Sequence, residues 1–348
     1  MLKSQPTGHE LAIPLALVRL APANAPIVSA YADWRVSERG LHEAPTVIEH
    51  HLRQSLAQLP VRGEAHASLA ADAERILHYL ADQADPAARG LVIFASHGRG
   101  LWFVQESVVQ VATTAHVGDA PLLLPFAELV QDAGSGRIAV VDTEHLRLID
   151  LSYAGVRELE GFDDDTWGAT RISSRAAWRT ANRQRAHETA LERFAGEIAG
   201  EIAAGMTASA SQALAIAGAD EIVALVRDAL PAAARDRLVL TGHVDMDTPE
   251  EEVVERIWPQ MQAIAAAARL EDIQRLLRTA TRAVGVEAVR TLIVNRRLAT
   301  LALDPDRLPA AQTEPLLRQA IDQHSRVIIA RSAPQLAPFY GVAGEARW

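Results

Sequence analysis

The sequence predicts a mixed α/β protein of three domains, spanning residues 1–132, 133–269 and 270–348. Three observations lead to that reading. A chain of 348 residues has room for two or three domains of roughly 100–200 residues each. Gly134-Ser135-Gly136 interrupts the chain with flexible punctuation. After Leu270, helical and strand-like stretches alternate at short intervals, as in a small α/β unit with a mixed or parallel sheet.

In the first domain, helical spacing marks a segment from Thr46 to Leu59 and a second from Leu69 to Gln83, where Ile76, Leu77 and Leu80 share a face. The run Leu91–Ala95, the turn His97-Gly98-Arg99-Gly100 and the return from Leu101 to Val104 read as a hairpin. A further strand is expected over Val108–Val117, and the apolar connector Pro121–Val130 leads into a helix. The amino-terminal residues hold an apolar run too short and too broken to span a membrane, and they lack the pattern of a cleaved signal.

The second domain opens on the strand Arg137–Asp142. The alternating Leu146–Tyr153 follows, with a tight turn at Ala154-Gly155 and a return strand over Val156–Leu159. A polar loop rich in Asp separates these from a long helix expected between about Ser174 and Met206. Next come a helix over Asp220–Leu230, a short strand over Leu238–Thr241, and a helix opened by Thr248-Pro249-Glu250-Glu251 with an acidic first turn. The third domain is read as a helix near Leu270, a helical segment Gly285–Val289, a strand Arg290–Val294, a helix Thr313–His324 and a strand Arg326–Ala330.

Composition narrows the function classes. Hydrophobic residues make up 49% and charged residues 22%, as in a soluble globular protein. Without a cysteine, disulfides, thiolate catalysis and Cys-based metal sites are excluded, which is compatible with a cytoplasmic chain. The net charge of −10 disfavours general nucleic-acid binding, so any such site must be a local basic island.

One island exists. Between Gly168 and His187 lie Arg171, Arg175, Arg179, Arg183 and Arg185, with no acidic residue. Arg175, Arg179 and Arg183 recur at every fourth position and would form one stripe on a helix. Like charges at that spacing repel by a few tenths of a kcal/mol per pair, a cost that a polyanion lying against the stripe would offset. The competing reading is a solvated helix face paired with Asp163-Asp164-Asp165.

Other polar groupings read as ordinary structure. His97 to Gly100 fits neither phosphate-loop pattern and is taken as a hairpin turn. His243, Asp245 and Asp247 match no metal template, and the neighbours His50 and His51 point in different directions on a helix. No metal or cofactor is expected.

Four stretches, in order, resemble the archaeo-eukaryotic release-factor superfamily, including its Pelota-like and bacterial, peptidyl-tRNA hydrolase-like branches. They are GLVIFASHGRGLWFV with PLLLPFAEL, then GRIAVVDTEHLRLIDLSYAGVREL, then the Arg-rich AAWRTANRQRAHETALERFAGEIA, and lastly VGVEAVRTLIVNRRL with LLRQAIDQHSRVIIA and FYGVAGEARW. The resemblance implies an amino-terminal α/β domain, an RNase H-like middle domain and an L7Ae-like carboxy-terminal domain. It also implies work on ribosomes, contacts to rRNA and tRNA, and a translational GTPase as partner.

One departure bears on chemistry. Active members carry Gly-Gly-Gln, or a bacterial variant such as a Gln near a Trp-Ser, before the Arg-rich helix; no Gly-Gly-Gln occurs in this chain, and Trp178 is followed by Arg179-Thr180. The nearest glutamine, Gln184, is a weak catalytic candidate, because without the glycines the loop lacks ready access to positive φ. The expectation is therefore ribosome rescue or hibernation without hydrolysis. The alternatives are a peptidyl-tRNA hydrolase, or a protein-interaction module that kept the fold and lost RNA contact.

Overall fold

A computed structural model describes residues 13–20, 25–60, 63–133, 136–152, 155–163, 180–209, 213–235, 238–240 and 242–347. It is a mixed α/β protein with three separate sheets. The chain forms two compact units: Met1–Ala133 with Tyr153–Gly155 and Ala268–Trp348, and Gly134–Ser152 with Val156–Ala267.

The first unit holds two sheets. One is antiparallel, in the order β3 (Leu101–Ser107), β2 (Gly90–Ser96), β1 (Ile27–Asp33), β4 (Thr114–Gly118). Successive residues of a strand face opposite sides, and here both sides are covered. Val28, Ala30, Ala32, Leu91, Ile93 and Ala95 pack with Ile48 and Leu52 of α2 (Ala44–Gln58) and with Leu69, Ile76 and Leu80 of α3 (Glu64–Asp82). On the alternate positions the ring of Phe94 meets those of Tyr31, Phe103 and Phe126, and Phe103 meets Phe126, with centroids 5.9–6.0 Å apart. Burial on both faces explains why β1 gives no alternating signal and escapes the sequence reading. The expected strand Val108–Val117 is shorter than predicted: only Thr114–Gly118 is strand.

Segment 121–124, which leads into α4 (Leu124–Ala133), is held from two sides. Ser29 Oγ accepts from the Leu122 amide, and the Tyr31 hydroxyl donates to the Leu122 carbonyl. From α10 (Ala310–Asp322), Glu314 accepts the amides of Leu123 and Leu124, each at 2.9 Å, and Arg318 donates to the Pro121 carbonyl at 2.8 Å. The first amides of a helix have no partner within it. Here a carboxylate 191 residues away in sequence supplies one.

The second sheet of this unit runs β10 (Arg282–Val284), β13 (Val342–Ala346), β11 (Leu298–Leu303), β12 (Arg326–Ile329), with β11 and β12 parallel. Two expectations are corrected. Arg290–Val294 is not a strand but the second half of α9 (Val286–Val294), burying Val289 and Ile293 four residues apart. A five-residue run, three of it β-branched, carries no period of its own, so its neighbours decide. The helix expected near Leu270 is the second half of one helix, α8 (Glu250–Arg278), which runs on without a break.

The second unit is a five-stranded sheet in the order β7 (Gly155–Asp163), β6 (His145–Ser152), β5 (Gly136–Val141), β8 (Ala213–Gly218), β9 (Leu238–Leu240). β5 is antiparallel to β6 and parallel to β8, and β8 is parallel to β9. Ala139, Val141, Leu214 and Ile216 face Leu191, Phe194, Ile198 and Ile202 of α5 (Thr180–Ser209), with Ile222 and Val226 of α6 (Asp220–Ala229). Ile138, Val140, Ala215 and Ala217 face Val253, Ile257 and Met261 of α8. The interior strand β8 is absent from the sequence reading: both of its faces are buried, so it does not alternate, and its residues are mostly Ala and Gly.

Candidate functional site

The predicted site is the Arg-rich approach to α5. Arg171, Arg175 and Arg179 lie outside the described residues. Arg183, Gln184 and Arg185 lie in the first two turns of α5; their side chains are outside the description. Among the described side chains of α5, the inward stripe runs from Leu191 through Phe194, Ala195, Ile198 and Ile202, at the spacing of one helical face. At 1.5 Å per residue, Arg183 stands about 12 Å and Arg185 about 9 Å ahead of Leu191 along the axis.

Chain direction fixes which end of the sheet this is. Only residues 210–212 join the end of α5 to the start of β8, so the helix runs back along the strand it feeds. Its first turns therefore lie toward the end where β5 and β8 finish. In α/β sheets ligands bind outside the carboxyl ends of the parallel strands. A helix of 30 residues is about 45 Å long, whereas a six-residue strand spans about 20 Å, so α5 outreaches the sheet.

The same end carries the tight β5–β6 connection. Asp142 accepts the amides of Glu144 and His145 through Oδ1, and its carboxylate lies 3.0 Å from His145 Nδ1. This is the local turn that a short acidic side chain makes with the backbone two and three residues on. β8 ends at Gly218, with φ of 136° and its Cα so close to β5 that a Cβ would sit 1.8 Å from the Val141 carbonyl oxygen. At the opposite end, the cross-strand partners Arg137 and Asp150 form a bidentate pair, 2.6 and 2.9 Å, with Arg137 buried. Arg147 donates to the carbonyls of Met246 and Thr248, fixing the approach to α8. These pairs went unremarked in the sequence; the spacing of Arg137 and Asp150 across a tight hairpin was the signal available.

The remaining groupings are structural where described. In the His97–Gly100 turn, the amide of His97 donates to Asp72 and that of Gly98 to Ser68, while Arg99 donates to the carbonyls of Ala25 and Asp119. With those amides engaged, the turn has no nest to offer a phosphate. His243 pairs with Asp245 at 2.9 Å on the surface. Among the described residues no cluster of three or more His, Asp or Glu has metal-binding geometry, and no helix is long and apolar enough to cross a membrane.

Residues 121–262 match the model of bacterial archaeo-eukaryotic release factor family 10. This segment belongs to the release-factor superfamily. It takes in α4, the whole five-stranded sheet, α5 and the first half of α8, a little less than half of the chain. Among solved structures, the chain is similar to an archaeal translation termination factor, aRF1, at 16% identity over 94% of each chain with a TM-score of 0.27. It is similar to Archaeoglobus fulgidus Pelota at 16% identity, over 74% of this chain and 79% of that one, with a TM-score of 0.37. An archaeal Pelota, in a model of it bound to the ribosome with ABCE1, gives 13% identity over 72% of each chain and a TM-score of 0.45. No curated protein matches. The release-factor segment contains all five arginines of the predicted site and no Gly-Gly-Gln.

Proposed function

We propose that the chain is a cytoplasmic, release-factor-like translation factor that acts on ribosomes in rescue or hibernation. It would contact rRNA or tRNA through Arg171, Arg175, Arg179, Arg183 and Arg185, without peptide hydrolysis. One observation carries the reading: the acid-free arginine run of a chain of net charge −10 falls inside the release-factor segment, at the approach to a helix that outreaches its sheet. The sheet order, with an antiparallel partner on one side of β5 and two parallel strands on the other, supports an RNase H-like middle domain. On this reading residues 1–132 and 270–348, which share one compact unit, are the amino-terminal and L7Ae-like domains, and the latter would engage a translational GTPase. That partner rests on analogy with the superfamily.

The backbone of Gln184 favours the non-hydrolytic form of the proposal over a peptidyl-tRNA hydrolase. It is part of α5, so its φ and ψ are those of a helix rather than of a mobile glycine loop. Two measurements on the same preparation test this. The protein should sediment with ribosomes, less strongly as salt rises. In a release assay on stalled ribosomes carrying labelled peptide, Gln184→Ala should differ from wild type by no more than a few-fold. A loss of about a hundredfold, the scale of a positioned catalytic group, would show that hydrolysis is the activity.

A further inference from the structure

The carboxy-terminal sheet has a cationic corner where β11 and β12 begin. α9 closes with the amides of Arg296 and Arg297 bonded back to Ile293 and Leu292, and Arg296 at φ 54°. α10 closes the same way, with the amides of His324 and Ser325 bonded to Ile321 and Ala320, and His324 at φ 54°. Such left-handed positions after a helix usually hold glycine. Here they display an arginine and a histidine.

The two turns are adjacent. Gln323 Nε2 donates to the Ile293 carbonyl at 2.7 Å, and Ser325 Oγ to the Leu298 carbonyl at 2.9 Å. Arg347, which follows β13, joins them. Its amide donates to the Arg297 carbonyl, and its guanidinium to the carbonyls of Gln323 and His324. Arg19 pairs with Asp322 on the last turn of α10.

Cations near helix carboxy-termini complement the helix dipole. That accounts for Arg19 and Arg347, whose guanidiniums meet terminal carbonyls. It leaves Arg296 and Arg297 unexplained. Both are exposed, and among the described residues neither side chain has a hydrogen bond or ion pair. The surroundings also select the partner. A protein interface needs an apolar centre, and the only large apolar side chain exposed on these two turns is Val294. Guanidiniums without an apolar centre suit a phosphate backbone, which they can grip in bidentate fashion.

We propose that this corner is an RNA-phosphate contact in which Arg296 and Arg297 each neutralise one phosphate, separate from the arginines before α5. The inference rests on the reading that the protein acts on ribosomes. The test is ribosome sedimentation across a salt series with wild type, Arg296→Gln/Arg297→Gln and Arg296→Lys/Arg297→Lys, with a thermal melt of each. The Gln pair should flatten the slope of log K against log salt by about 1.4, at roughly 0.7 per phosphate, and leave the melt unchanged. The Lys pair should restore the slope.

A Gln pair with wild-type affinity and slope overturns the corner and leaves the ribosome reading standing. Wild-type protein that sediments with ribosomes at no salt concentration overturns both. Competition by polyglutamate as strong as that by transfer RNA would assign the corner to an acidic protein, and so overturn the RNA proposal.

Discussion

At the scale of single residues, Gly218 and Glu314 show how backbone and burial set tolerance. A side chain at Gly218 meets the β5 carbonyl at a distance no Cβ tolerates, in a conformation that disfavours L-residues. Gly218→Ala should therefore destabilise the second unit by at least about 2–3 kcal/mol, in the severe range for one substitution, as read by denaturant unfolding. Glu314 presents its two carboxylate oxygens to two amides, so Glu314→Gln turns an NH2 toward an N–H and should cost about 1–3 kcal/mol at pH 7. Burial raises the Glu314 pKa, against the pull of the Leu123 and Leu124 amides, so the folded chain takes up this proton before the unfolded one does. The proton-linked part of its contribution is then fully present below its unfolded value near 4.5 and is lost as pH rises through the folded value. The gap in unfolding free energy between wild type and Glu314→Gln should widen as pH falls from 7 toward 4.5. A gap that narrows would reverse the sign assigned to the carboxylate.

At the scale of elements, helices with one apolar face were legible, and strands buried on both faces were legible only as runs of large apolar residues, as in β2 and β5. The 3.6-residue period announced α2, α3, α6 and α10, and the apolar connector announced α4. β1 and β8 are interior strands buried on both faces, so neither alternates. Their small residues, such as Ser29 and Ala30 or Ala213 and Ala215, look like linker until the pairing is seen. In Arg290–Val294 the β-branched composition suggested a strand, but packing of Val289 and Ile293 on one side won. The candidate site was legible as composition, five arginines without an acid, but its geometry was not, because a charge stripe does not announce what faces it. Changing Arg175, Arg179 and Arg183 together to Gln should flatten the salt slope of ribosome binding by about two units and leave the melting temperature equal or slightly higher, since repulsion among like charges close in sequence is relieved. An unchanged slope with a lower melting temperature would make these arginines partners of the Asp-rich loop instead.

At the scale of the whole molecule, a net charge of −10 is compatible with a polyanionic partner only if cations are gathered locally, as they are before α5 and at the α9–α10 corner. The first unit is also discontinuous in sequence: residues 1–133 and 268–348 pack as one body. A chain cut after residue 267 loses Glu314 and Arg318, and with them the partners of the Leu123 and Leu124 amides and the Pro121 carbonyl. It should bind the dye ANS through the loosened aromatic face of Phe94, Phe103 and Phe126, where the full chain does not, and be cut by protease near residue 121. Equal dye binding and equal protease resistance would mean that the amino-terminal sheet needs no help. The same arrangement sets a schedule for biosynthesis. Leu123 is made 191 residues before Glu314. At roughly 5–20 residues per second, the nascent amino-terminal sheet waits about 10–40 s for the helix that closes it. During that interval its aromatic face is the surface on which a chaperone, or a second nascent chain, can act.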